Sequence, residues 1–176
     1  MILQPVQAFV IVLQGSVLTL WIIVMLHRLS VASGTPKLTT TLQFGHKNTG
    51  SYISIVVPAR NEEETIGSCL SSLQKQSYTN FEVIVVDDSS TDRTFHIAQE
   101  FSRKDRRFET IKLSTLKKGW VGKNWACYNG FMKSEGELLL FTDADTLYDP
   151  NTLSTAVNYM GSRGIDLLTL IPRIDC

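Results

Sequence analysis

Net charge is the first thing this chain lacks. Its 176 residues carry 17 Lys+Arg and 17 Asp+Glu, for a formal charge of zero at pH 7. That balance leaves no basic field to follow a nucleic-acid backbone. The basic side chains that do cluster, Arg103, Lys104, Arg106 and Arg107, then Lys117 and Lys118, are expected on solvated helix ends and loops. Cysteine is scarce: Cys69, Cys127 and Cys176 show no metal-ligand spacing and leave an odd count. They read as reduced thiols in a reducing compartment, not as a disulfide framework. Internal repeats and low-complexity tracts are missing as well, which excludes solenoid arrays.

One local absence says more. No charged side chain occurs from Met1 to Leu26, and Val6–Leu26 is interrupted only by Gln7, Gln14, Gly15, Ser16 and Thr19 among apolar residues. About 20 mostly apolar residues cross the hydrocarbon core of a bilayer. A cleaved signal peptide is the competing reading, with Val31-Ala32-Ser33 as a small-residue cleavage site. It lacks a basic n-region, and its apolar run exceeds the usual ~7–15 residues. Residues 1–29 are therefore expected to be a retained single-pass membrane anchor. Arg28 and Lys37 follow the span and no basic side chain precedes it, so the soluble domain is expected in the cytoplasm. Residues 30–51, rich in Thr, Ser, Gly and Lys, read as a linker to a domain at 52–176.

What is present begins with three short apolar runs. Ile53–Val57, Phe81–Val86 and Leu138–Phe141 each read as a buried strand. Each ends in a polar cluster: Pro58-Ala59-Arg60-Asn61-Glu62-Glu63-Glu64, Asp87-Asp88-Ser89-Ser90-Thr91-Asp92, and Asp143-Ala144-Asp145. Helical patterns lie between them. Ile66, Cys69, Leu70 and Leu73 follow one helix face, with Asn61 as N-cap and Glu64 completing a capping box. Further helices are expected at about Thr91–Arg103, from the Gly119–Ala126 segment to about Lys133, and after Asp149 as N-cap with Pro150 at N1. Short strands are expected at Phe108–Leu113 and Ile165–Ile171. The alternation predicts an α/β fold with a mainly parallel, doubly wound sheet, buried on both faces of its three principal strands.

In such sheets ligands bind outside the carboxyl ends of the strands. Two carboxylates one residue apart, Asp143 and Asp145, are costly to place together unless something neutralises them. A divalent cation with hard oxygen ligands does so, and Mg²⁺ or Mn²⁺ held by few carboxylates keeps substrate phosphates as its other ligands. An isolated DxD also reads as a pair of solvated loop acids that cap the next helix; the two other polar strand ends favour the ligand reading.

Taken in order, PARNEEETI, VVDDSSTDRT, GWVGKNWACYNG and LLFTDADT resemble the inverting family-2 glycosyltransferases of GT-A fold, over about Ser51–Ile171. The GWVGKNWACYNG segment is similar to members associated with carotenoid, hopanoid and polyprenol acceptors. The resemblance implies a Rossmann-like GT-A sheet and a nucleotide-sugar donor. It places Ala59, Arg60, Asn61 and Glu62 beside base and ribose. Asp88 would accept the uracil imide N–H, favouring a UDP sugar, and Asp87 would support that loop. Lys123 would reach the pyrophosphate, though it reads equally as a surface lysine. Asp143 would face the ribose and Asp145 would bind Mg²⁺ or Mn²⁺. Trp120 and Trp125 would line the acceptor entrance, or pack in the core.

The sequence also departs from that family. Inversion needs a general base, which the family supplies from an ED-type motif after the DxD, with QxxRW following. Neither motif occurs here; only Asp166 and Asp175 lie beyond Asp149. Catalysis by this chain is therefore left open. The reading is a membrane-anchored transferase acting on a lipid or saccharide acceptor with inversion, or a non-catalytic donor-binding remnant that lacks the acceptor half. DADT also satisfies the DxDxT nucleophile pattern of haloacid-dehalogenase-type phosphatases, a third reading that leaves the other motifs unexplained. A response-regulator receiver could use Asp87 and Asp88 as an acidic pocket, but leaves the DxD unexplained.

Overall fold

The computed structural model describes residues 13–26 and 50–170. They fall into two units, divided at Lys37. In the first, residues 13–26 form a helix, α1, exposed along its length. Ser16 and Thr19 turn their hydroxyls back on the helix, donating to the carbonyls of Leu13 and Gly15 at 2.7 Å each. These 14 residues reach only ~21 Å at 1.5 Å per residue. Among the described residues no helix is long and apolar enough to cross a membrane. The remainder of the expected span, residues 6–12, lies outside the described residues, as does most of the expected linker. The linker's last two residues belong to the domain: the Gly50 carbonyl accepts from Asn80 Nδ2 at 2.7 Å and the Ser51 carbonyl from Tyr78 Oη at 2.5 Å.

The second unit runs β1 (Ile53–Ala59), α2 (Ile66–Gln74), β2 (Phe81–Asp88), α3 (Thr94–Lys104), β3 (Phe108–Leu113), α4 (Gly122–Lys133), β4 (Leu138–Phe141) and α5 (Thr152–Arg163). The four strands form one parallel sheet in the order β3-β2-β1-β4. The chain winds outward from β1 to β3, then returns to the other side of β1. This places a switch point between β1 and β4, with every strand's carboxyl end on one edge of the sheet.

Side chains alternate across the pleat. Ile55, Val57, Val83 and Val85 join Ile66, Leu70 and Leu73 of α2, Ala98 of α3, and Leu153 and Val157 of α5 in the larger core. Val56, Ile84 and Val86 face the opposite side and pack with Ala126 of α4. Ala126 and Gly130, one helical turn apart, let α4 lie close on the sheet: a Cβ on Gly130 would overlap Val56 Cγ1.

Several expectations are corrected. Helix α2 begins at Ile66 with Thr65 as N-cap, not at Asn61. Asn61 is left-handed (φ 54°) and its side chain is used across to the neighbouring loop. Likewise α5 starts after Asn151, with Asp149 contributing only a backbone carbonyl to Thr152 N. The expected last strand is not one over 165–170. Gly164 (φ 60°) caps α5, and Ile165 N donates to Met160 O at 3.2 Å, so this segment is spent on ending the helix. β4 is not buried on both faces: Leu138 and Leu140 are half-buried against the larger core, while α4 covers β1 and β2, leaving Leu139 and Phe141 of this edge strand 38% and 49% exposed. Arg107 is not a solvated charge as expected. It grips Asp105 at 2.7 Å, reaches the Gln74 carbonyl, and lies 4.5 Å from the Phe81 ring centroid.

Candidate functional site

The pleat assigns the two adjacent aspartates of β2 to opposite faces. Asp87 continues the Val83–Val85 row into the larger core and is fully buried. One of its oxygens accepts from Ser90 N at 3.3 Å, and the other, Oδ1, is a buried oxygen with no partner among the described residues. Asp88 continues the Ile84–Val86 row toward α4. There it meets the first residue of that helix: a Cβ on Gly122 would overlap Asp88 Oδ2. Arg60 Nη1 stands 3.5 Å from the same oxygen. Gly122 thus gives the Asp88 carboxylate its room. Sequence reading missed it, although a glycine at the start of a helix after an aromatic-rich loop is a signal of close approach.

The loops after β1 and β2 are tied together by their own polar groups. Asn61 N donates to Ser90 Oγ at 3.0 Å, and Thr91 N donates to Asn61 Oδ1 at 2.9 Å. Glu63 N donates to Asp92 Oδ2 at 3.1 Å, and Arg93 N to Glu63 Oε2 at 2.9 Å. Buried Thr94 accepts from Glu62 N and donates to Asp92 Oδ1. The Glu62 carboxylate is itself occupied by Thr65 Oγ1 at 2.8 Å. Much of the acidity at these strand ends therefore holds loops in place. Asn61 and Ser89, the two non-glycine residues with positive φ among the described residues, sit at the ends of β1 and β2. Such strain, of order 1–3 kcal/mol each, persists where surrounding bonds over-determine it.

At the end of β4 a different device operates. Ala144 is buried in the larger core, while Asp143 and Asp145 on either side are exposed. The small apolar residue anchors the turn and forces both carboxylates outward. Thr146 N closes the turn on the Asp143 carbonyl at 3.3 Å, which also accepts from Cys69 Sγ at 3.7 Å. Tyr148 braces it, donating from its hydroxyl to Thr142 Oγ1 at 2.5 Å and from its backbone N to Ser72 Oγ at 3.1 Å. Sequence reading singled out none of Thr142, Tyr148 or Ser72.

The structure brings Lys123, in the first turn of α4, to Asp143: Nζ to Oδ1 is 2.7 Å. That hydrogen bond raises the lysine pKa, so it is cationic at neutral pH. Asp145 makes no hydrogen bond or ion pair among the described residues, and no three metal-ligating side chains cluster there. A single free carboxylate beside an already neutralised one suits a hard cation whose remaining ligands come from a diphosphate. Ala59 is buried, paired in register with Asp87, and Arg60 is exposed at the rim. Trp120, Trp125 and Tyr128 pack on one another with ring centroids 4.9–5.7 Å apart. Burial pushes the pKa of the Cys69 thiol up to about 12 and raises that of Cys127, which favours the protonated form of both.

Comparison with known proteins agrees with this layout. Residues 54–173 match glycosyl transferase family 2. The 4,4'-diaponeurosporenoate glycosyltransferase of Staphylococcus haemolyticus (strain JCSC1435) is 39% identical over 107 residues, 59% of this chain and 28% of that protein. The poly(ribitol-phosphate) beta-N-acetylglucosaminyltransferase TarS of Staphylococcus aureus (strain Mu50) is 34% identical over 119 residues, 66% of this chain and 20% of that protein. The chain thus spans less than a third of either relative. The crystal structure of S. aureus TarS 1-349 in complex with UDP-GlcNAc superposes with a TM-score of 0.52 at 35% identity, covering 62% of this chain and 31% of that one. The mannosyltransferase PcManGT from Pyrobaculum calidifontis, in complex with GDP-Man and Mn²⁺, has a TM-score of 0.58 at 23% identity, covering 78% and 39%, and shares the fold.

Proposed function

Because this chain belongs to glycosyl transferase family 2, we propose that its GT-A sheet binds a UDP-linked sugar together with Mg²⁺ or Mn²⁺. In the same reading it serves a membrane-anchored enzyme that transfers the sugar with inversion to a lipid or saccharide acceptor. The observation that carries donor binding is the convergence on one sheet edge of Asp88, given room by Gly122, with the Lys123–Asp143 pair and the free Asp145 carboxylate. Asp88 accepts the uracil imide N–H, with Ala59, Arg60 and Glu62 on the nucleoside side and Asp143 toward the ribose. Lys123 serves the pyrophosphate. Its exposed ion pair with Asp143 is worth only ~0–1 kcal/mol, so sharing the ammonium with a phosphate costs little. Asp145 holds the cation, which when bound neutralises diphosphate charge and stabilises the leaving nucleotide. The 35% identical structure with UDP-GlcNAc supports the choice of base.

The soluble domain lies in the cytoplasm in this reading, held by Val6–Leu26. The inward-turned hydroxyls of Ser16 and Thr19 suit an apolar surround. Described acids after Asp145 are Asp149 and Asp166, neither in an ED context. Transfer by this chain alone should accordingly be very slow or absent. Titration calorimetry of UDP, with and without Mn²⁺, tests the donor site. Asp145→Asn should remove most of the metal dependence. Asp88→Ala should weaken UDP in both conditions by about 1–3 kcal/mol. Equal, negligible heats with and without Mn²⁺ would mean that no donor site is formed.

A further inference from the structure

The balanced charge of this chain separates in one place. From Thr110 to Ser134 there is no Asp or Glu, while Lys112, Lys117, Lys118, Lys123 and Lys133 all fall within it. Lys112 lies over the Phe95 ring and Lys123 is paired with Asp143. Lys117 and Lys118 remain exposed on the loop between β3 and α4. The same few residues expose large aliphatic side chains, with Leu116 54% and Val121 70% accessible. Behind them stand amphipathic aromatics. Trp125 Nε1 donates to the Thr115 carbonyl at 3.1 Å, Trp120 N donates to the Lys117 carbonyl at 3.0 Å, and Lys117 Nζ lies 5.7 Å from the Trp125 ring centroid. These bonds hold the loop against α4 as a braced ridge.

Aliphatic tips, paired indole rings of which Trp125 is tied to the backbone, and exposed lysines in an acid-free stretch of sequence make the chemistry of a water–lipid boundary. The tips enter the acyl region, the rings sit at headgroup depth, and the ammonium groups meet anionic phosphates. We propose that the Leu116–Val121 loop, backed by Trp120 and Trp125, docks on an anionic lipid surface. This is a membrane contact on the globular domain itself, separate from residues 6–26. The ridge runs directly into Gly122 and Lys123, so docking sets the mouth of the donor site at the headgroup plane. The placement of the mouth rests on the donor-site reading; the docking does not.

The test uses the full chain carrying Trp21→Phe, in which Trp120 and Trp125 are the tryptophans that remain of three. It is reconstituted in brominated phosphatidylcholine vesicles, with or without phosphatidylglycerol. Docking predicts that the brominated lipid quenches the tryptophan fluorescence when phosphatidylglycerol is present. Quenching should fall to background in pure phosphatidylcholine, in Lys117→Gln/Lys118→Gln and in Leu116→Ser/Val121→Ser. Background quenching with phosphatidylglycerol present overturns the proposal, as does equal quenching in the two lipids. UDP heats on the same samples are independent: unchanged heats in the loop variants show that they fold, and missing heats with quenching retained overturn the donor site while leaving the docking.

Discussion

Replacing Gly122 with alanine should cost uridine-nucleotide affinity while leaving the fold intact. The new Cβ would overlap Asp88 Oδ2, whereas Asp88 Cγ at 3.4 Å and Oδ1 at 3.8 Å lie at ordinary contact distance. Only one carboxylate oxygen is displaced, so the steric conflict is relieved by rotating the Asp88 side chain and not by moving β2. That rotation would withdraw Asp88 from the base-accepting position proposed for it. Losing one charged hydrogen bond costs about 1–3 kcal/mol, which is roughly 5- to 150-fold in Kd. The helix itself gains, because alanine in place of glycine favours helix by up to ~1 kcal/mol. The expected signature is therefore a split: an unchanged or raised Tm with weakened UDP binding, read by thermal denaturation and calorimetry on one preparation. A Gly122→Ala protein that binds UDP as tightly as the parent would refute the role given to Asp88 in that position.

Gly130→Ala should behave oppositely. Its Cβ would overlap Val56 Cγ1 and stand 3.1 Å from Cγ2, against a fully buried side chain, so overpacking of about 1–3 kcal/mol should lower Tm; an unchanged melt would show that α4 lifts off freely. The Asp105–Arg107 pair carries a pH signature. The guanidinium's hydrogen bonds hold the Asp105 carboxyl at about 2. Its stabilisation is full above the unfolded value of roughly 4 and is lost as pH falls through the folded value. The stability gap between the parent and Arg107→Leu, read by urea denaturation, should shrink from pH 5 toward pH 2, and a constant gap would contradict the pairing. In carbonate extraction the full chain should stay with the membrane pellet; release, or a mature N-terminus near Gly34, would remove the anchor.

Much of this was legible because the deciding forces are local. Continuous apolar runs located β1, β2 and β4, and alternation with helical patterns predicted the parallel sheet that is observed. Parallel pairing then brings every strand's polar end to one edge, so the convergence followed from the order of elements. The four motifs pointed to the family that residues 54–173 match, which leaves the phosphatase and receiver readings without support. Caps were misread where a tertiary partner outbid the local one. Asn61 has the chemistry of an N-cap, yet its side chain accepts from Thr91 thirty residues away.

The sequence by itself located the four strands of the sheet and the helices between them, though not the helix starts or the fate of residues 165–170, and it showed that carboxylates crowd the strand ends. Burial of an apolar run and the spacing of a helical face are properties of a dozen consecutive residues. Only the tertiary structure decided which of the two buried carboxylates, Asp87 and Asp88, faces α4. The two alternate across the pleat whatever the fold, but the face that meets α4 depends on where the chain places that helix after β3. The same placement gives Gly122 its closeness to Asp88, sets Lys123 on Asp143, and leaves Leu139 and Phe141 of β4 uncovered. Contacts between residues far apart in sequence have no local signature, because their free energy appears only once the sheet has been closed by its helices.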